Sequence, residues 1–295
     1  MEENMVALYM IAHHLAHQGV TMLVRRYGRK YGAGGMLFNG VICLFAMLFF
    51  LISDLDGVHF VSGIWGYGLV NALLYAAGFY FAYLAHSSGN YFLTQTICSM
   101  SFIVPIIYGL FFLHEAANAF TYIALVLSIV SVLLMCYARR EKSGQKENSG
   151  SVSAKWLISV LIVLLSNGLI TVVSKMQQSQ FDGQHSNEFM VITLTGASLF
   201  LFVMGAVQER KGMLKTIRQG CLYGIGAGLL NGFENALNLA LIMLMPLSIL
   251  TPINKAVGLL LGYVVSVFLY KEKYAKLHYL SMLLSIISIA LMQIS

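Results

Sequence analysis

Two formally charged side chains, Glu234 and Lys255, stand near the middles of two long apolar stretches separated by Pro246. A charge at the centre of a membrane helix costs roughly 2.5–3.5 kcal/mol on insertion scales, so neither is expected to face lipid alone. Counted from Pro246, Glu234 lies twelve residues back and Lys255 nine forward, and at about 1.5 Å of rise per residue those depths are similar. The pair is expected to meet near the bilayer midplane. Asn231, Asn235 and Asn238 fall at helical spacings around Glu234 and make a polar stripe. Asn254 precedes Lys255, and Pro252 leaves the carbonyl near Ser248 without its helical donor, a defect tolerated where backbone lines a cavity or packs on protein. Two chemistries fit these residues: a structural ion pair joining two helices, or a midplane site for ligand binding or proton coupling. Three asparagines, a glutamate and a lysine exceed what one helix contact needs, which favours the second.

A further polar group lies near the N-terminus, where His13, His14 and His17 interrupt an apolar run. His13 and His17 are four apart, as are His14 and Gln18, so the segment has a polar face at a depth comparable with Glu234. Lining a cavity and packing against a neighbouring helix both suit that face. The pattern HHLAH also resembles part of the histidine boxes of membrane di-iron enzymes. Such enzymes need several clusters, and His59, His86, His114, His185 and His278 are isolated in sequence. No metal is therefore expected. Asn71 and Gln95 are cavity candidates, with a hydrogen bond to an adjacent helix as the alternative. Cys43, Cys98, Cys136 and Cys221 lack the pair spacings of a metal or redox motif and read as packing residues.

The elements that must hold these residues follow from composition. The 295-residue chain is 58% hydrophobic and 10% charged, with a mean hydropathy of +0.77, where soluble domains carry about 25% charge. This is the composition of a polytopic membrane protein. The net charge of +6 does not imply nucleic acid, because the basic residues lie in short gaps between apolar segments rather than on one face. The N-terminus is acidic where a secretory signal would be basic and lacks a small-residue cleavage site, so it is expected to be a first spanning helix.

Spans are expected near residues 4–24, 34–53, 63–86, 90–113, 118–138, 156–175, 188–207, 220–244, 247–270 and 275–294, each near the length needed to cross about 30 Å of hydrocarbon. The polar segment 139–155 divides a first five-helix repeat, 1–138, from a second, 156–295. Leu127–Met135, LSIVSVLLM, matches Leu284–Met292, LSIISIALM, at an offset of 157 (284 − 127) that also sets Glu115 on Glu272 and Thr94 on Thr251. Thr21 and Arg25 form a weaker match with Thr171 and Lys175. Five spans is an odd number, so the second repeat must enter the membrane inverted, an arrangement found in many secondary transporters. With ten alternating spans the basic loops fall on one side and only Lys175 on the other. The positive-inside rule then makes those loops cytoplasmic and both termini extracytoplasmic.

The segment NGFENALNLALIMLMPLSILTPINKAVGLLLGYVVSVFLYKEKY and its first-half counterpart SMSFIVPIIYGLFFLHE resemble the drug/metabolite transporter superfamily, particularly EamA-type transporters. The resemblance covers most of the chain through an Asn-bearing helix, a turn of LP-S-x-x-x-P type and a Glu closing the ninth helix. It implies an all-α membrane protein of ten transmembrane helices in two inverted five-helix repeats, with a central cavity and transport by alternating access. It implies no particular substrate. Gly224, Gly228 and Gly232, and again Gly258 and Gly262, recur every four residues, as close-packing helix faces do.

The expected function is thus secondary transport of a small polar metabolite, an amino acid or other zwitterion being favoured, across the cell membrane. Lys255 would meet a carboxylate or phosphate, and Glu234 an amine or a proton. Asn231, Asn235, Asn238, Asn254, Asn71, Gln95, His13 and His17 would orient the ligand. Partners are the solute, protons and the bilayer, with the protein a monomer or a homodimer, no cofactor and no nucleic acid. No nucleotide-binding loop of the G-x-x-x-x-G-K-[ST] type is present to support ATP drive. The alternatives are a membrane metal enzyme using the HHLAH histidines, and a receptor or scaffold without flux.

Overall fold

A computed structural model describes residues 2–31, 35–53, 57, 59–88, 94, 97–143, 153–209, 213–270 and 276–292. Its α-helices include α1 (Glu2–Tyr31), α2 (Met36–Ser53), α3 (Ser62–Ser88), α4 (Ile103–Phe111), α5 (Ala119–Ser143), α6 (Ala154–Gln180), α7 (Ser186–Gln208), α8 (Met213–Leu244), α9 (Leu247–Tyr270) and α10 (Lys276–Met292), and residues 97–99 are helical as well. A 3-10 turn, Met100–Phe102, leads into α4. No strand occurs among the described residues. In hydrocarbon every backbone polar group must be satisfied within its own segment, and a helix does this without a partner.

Six helices are long and apolar enough to cross a membrane: α2, α6 and α7 throughout, α3 over Ser62–Ala85, α8 over Arg218–Leu244 and α9 over Leu247–Val265. These mark a multi-pass membrane protein. Shorter apolar stretches lie at Ile97–Phe111, Ala119–Leu134 and Tyr279–Leu291. In α1 three histidines and four basic residues dilute the apolar surface. Several boundaries differ from expectation, two of them at basic segments. Helix α1 runs seven residues past the expected end at 24, and α5 continues to Ser143, inside the segment expected as linker. Both extensions are rich in Arg and Lys, which are good helix formers and remain helical outside the apolar layer.

The chain forms two compact units that do not coincide with the sequence halves. The first comprises Met1–Tyr80 and Val173–Leu244, and the second Phe81–Val172 and Met245–Ser295.

In the first unit α8 packs along α1 and α2, and α2 also packs on α7. Helix α8 offers α2 a row of glycines. A Cβ on Gly224 would lie 2.5 Å from Val41 Cγ1, one on Gly228 2.7 Å from the Ile42 carbonyl oxygen, and one on Gly232 2.7 Å from Phe49 Cβ. Any side chain there would push the helices apart. The order of these contacts makes α2 and α8 parallel. Helix α7 meets α2 antiparallel: Gly205 abuts Leu37, Ser198 donates to the Gly40 carbonyl at 3.2 Å, and Glu209 caps the Met36 N–H. Phe189, Leu194, Ala197 and Leu201 of α7 form a fully buried core with Phe50 and Ile64.

The second unit is built on α5 packed against α10, with α9 against α4 and α10. Its central seam is lined with serines. Ser128 and Ser288 share a hydrogen bond of 2.7 Å, and Ser131 and Ser285 one of 2.6 Å. Ser131 also donates to the Ser281 carbonyl, and Ser288 to the Ala124 carbonyl, each at 2.8 Å. Under the sequence offset of 157, Ser128 corresponds to Ser285, Ser131 to Ser288 and Ala124 to Ser281. Each of these bonds therefore has its mate with the two helices exchanged, the reciprocal pattern of a two-fold contact. One further bond, from Ser281 Oγ to the Ser131 carbonyl at 2.8 Å, lacks a counterpart because residue 124 is alanine. Elsewhere in this unit Glu115 uses both carboxylate oxygens, at 2.8 Å, to accept the first backbone N–H groups of α9, at Leu247 and Ser248. A carboxylate there complements the positive end of the helix.

Candidate functional site

In the first unit α1 and α8 run antiparallel, with Gly19 against Leu230 and Leu23 against Gly226. This register carries His13 and His17, one turn apart on α1, to Glu234 on α8. His17 Nδ1 lies 2.9 Å from Glu234 Oε1, and His13 Nδ1 lies 3.2 Å from the Glu234 carbonyl oxygen. A carbonyl can only accept, so His13 donates from Nδ1. The Glu234 side chain is 15% exposed and that of His17 50% exposed. The second carboxylate oxygen, Oε2, is buried without a hydrogen-bond partner among the described residues. His14 is buried beside this pair, its ring edge-on to His13 with centroids 4.9 Å apart.

The asparagines extend the seam along α8. Asn235 donates through Nδ2 to the Asn231 carbonyl at 2.8 Å and to Asn231 Oδ1 at 3.2 Å. Tyr75 of α3 reaches Asn235 Oδ1 with its hydroxyl at 3.4 Å. One turn earlier on α3 the fully buried Asn71 makes a long 3.4 Å contact with Thr193 of α7, and its own Oδ1 is unsatisfied. Asn238 is half-buried, one turn beyond Glu234. Lys175, near the end of α6, donates to the Ile242 carbonyl at 2.7 Å. The seam thus holds a carboxylate with one oxygen on an imidazole and one unused, flanked by amides and a phenol. Chemically it can take up a proton or a cationic donor on the free oxygen and pass a proton between imidazole and carboxylate.

The structure gathers His13, His17, Glu234, Asn231 and Asn235, and sets Asn71 a turn away from Tyr75. Lys255 and Asn254 belong to the second unit, where both are half-buried and Asn254 Oδ1 and the fully buried Ser248 Oγ are unsatisfied. The side chain that meets the Glu234 carboxylate within its own unit is His17. Gln95 lies outside the described residues. Tyr75 and Thr193 were missed by sequence reasoning. Tyr75 follows Asn71 by four residues and so shares its helix face, a signal that tyrosine's frequency in this chain conceals. Among the described residues, no three His, Cys, Asp or Glu side chains come together as a metal site requires.

No family model and no curated protein matches the sequence. Among solved structures, a crystal structure described only as that of a protein aligns over 99% of this chain and 97% of its own, with a TM-score of 0.74 and 9% identity. At that identity the likeness speaks for the fold alone.

Proposed function

We propose that this protein is a secondary transporter that moves a small polar metabolite across the cell membrane by alternating access, with Glu234 as its coupling and cation-binding group. The observation that carries the reading is the unused, buried Oε2 of Glu234 beside an Oε1 bonded to His17. A purely structural carboxylate in an apolar surround would have both oxygens satisfied, because an unmade hydrogen bond there costs about 1–3 kcal/mol. A site that alternately takes and releases a proton or an amine needs an oxygen left open.

Ten spans in two inverted repeats fit the same reading. Helices α1 and α8 are antiparallel, α2 and α8 parallel, and α2 and α7 antiparallel, as a chain that alternates direction through ten crossings requires. The reciprocal serine contacts between α5 and α10 are what two inverted copies meeting on a two-fold axis would make. A transporter of the drug/metabolite superfamily, EamA type, has this plan. Both termini would then lie outside the cytoplasm. In the second unit Lys255, with Asn254 beside it, offers a cation for carboxylate or phosphate recognition. The metal-enzyme alternative lacks a three-ligand cluster to support it among the described residues.

The test is a metabolite screen by thermal shift on purified protein, followed by flux of each hit in proteoliposomes. Stabilising ligands that are transported, with both effects lost in Glu234→Gln, are the expected result. Ligands that stabilise Glu234→Gln as well as the parent would overturn the site, and binding without flux would replace the transporter by a receptor.

A further inference from the structure

At the end of the first unit remote from Glu234, α1 continues beyond its apolar run. Its 30 residues span about 45 Å at 1.5 Å each, against about 30 Å of hydrocarbon. The excess holds Arg25, Arg26, Arg29 and Lys30 within two turns, of which Arg26, Arg29 and Lys30 are exposed. The start of α8 is brought alongside. Tyr223 packs against Tyr27 and Tyr31, with ring centroids 6.2 and 6.3 Å apart, and Tyr27 stacks on Phe38 of α2 at 3.9 Å. Arg218, little more than one turn before Tyr223, is exposed as well. Lys30 lies 5.1 Å over the Tyr31 ring, and its hydrogen bond to Tyr31 raises its pKa above the ordinary lysine range. The described carboxylate at this end, Glu209, is engaged with the Met36 N–H.

We propose that this end of α1 and α8 is a binding surface for the headgroups of anionic phospholipids, with Arg26, Lys30 and Arg218 meeting lipid phosphates around a tyrosine floor. Charge complementarity carries the assignment. Clusters of four or more cations immediately beyond a membrane span attract anionic leaflets, and tyrosines sit at headgroup depth. Orientation signalling alone would need the charges but not an aromatic surface joining two helices. The proposal is independent of transport and rests on α1 crossing the membrane, as proposed above.

Detergent-solubilised protein is equilibrated with mixed phosphatidylcholine and phosphatidylglycerol, washed, and its retained lipid counted by mass spectrometry. The parent is expected to retain phosphatidylglycerol several-fold over phosphatidylcholine, less so in high salt. The variant Arg26→Gln/Lys30→Gln/Arg218→Gln should lose the preference, and Arg26→Lys/Arg218→Lys should keep it. Helical circular dichroism of each variant guards against misfolding, and because the preference of the parent is itself measured, the proposal stands or falls even if the triple variant fails to fold. Equal retention of the two lipids by the parent, an undiminished preference in the folded triple variant, or full displacement by soluble glycerol phosphate would each overturn it.

Discussion

Two polar seams run through otherwise apolar helix contacts, and they differ in completeness. Between α5 and α10 every serine hydroxyl of the cluster has a partner, and all but the bonds of the Ser281 hydroxyl to Ser131 repeat in mirrored pairs. Between α1 and α8 the strongest polar group, Glu234, keeps one oxygen buried and unmatched, and its neighbours reach it through an exposed histidine. A satisfied network holds two helices in one arrangement. An unsatisfied one stores affinity for something absent from the chain itself. On the proposed function, the contrast is that between a scaffold and a binding site.

Substitutions can break this contrast in a definite order. The largest effect is expected at Glu234: Glu234→Gln should lower flux at least about 100-fold, equivalent to about 2.7 kcal/mol, while the melting temperature of the ligand-free protein changes little. Next, Gly228→Leu drives a side chain into Phe45 and the Ile42 carbonyl and should destabilise by about 1–3 kcal/mol through overpacking; a melting temperature equal to the parent's would show that the α2–α8 contact is looser than described. His17→Ala should cut flux by roughly tenfold, about 1.4 kcal/mol, and remove its dependence on an imposed pH gradient; an unchanged gradient response would move the proton elsewhere.

The serine seam supplies the opposite outcomes. Ser131→Ala removes the hydroxyl shared by Ser281 and Ser285 and should cost about 0.6–1.7 kcal/mol, read as a lower melting temperature with flux per folded molecule unchanged. The smallest effect is a gain: Ala124→Ser supplies the hydroxyl that would mirror Ser281, and should stabilise by about 0.6 kcal/mol. A loss of stability there would mean that the fully buried Ala124 has no room for an oxygen and that the two-fold is imperfect at that position.

Much of the architecture was legible in sequence because it rests on periodicity. The four-residue spacing of Gly224, Gly228 and Gly232 predicted a close helix approach, and those glycines face Val41, Phe45 and Phe49, themselves at four-residue steps. The repeated serine string announced a relation between two segments, though not that they would meet each other. Depth along a helix was also readable, which is why the N-terminal histidines were matched in level to Glu234. Partnership was not, because hydropathy records how deep a residue lies and says nothing of its azimuth relative to other helices. Sequence sets Glu234 level with Lys255 across the nearest hairpin, whereas within its own unit Glu234 meets His17, more than two hundred residues away in sequence. Tyr75 went unseen for the same reason: its partner Asn235 lies on a helix 160 residues later. Polarity after residue 138 marks the end of the apolar layer and not of the helix, which continues to Ser143.

The central claim, that Glu234 is a working group rather than a structural one, is tested most directly by comparing parent and Glu234→Gln in proteoliposomes carrying a solute identified by thermal shift. The account predicts gradient-driven uptake by the parent and none above background by the variant, with both proteins equally folded. Uptake by Glu234→Gln at the parent's rate and with the parent's response to a pH gradient would contradict it.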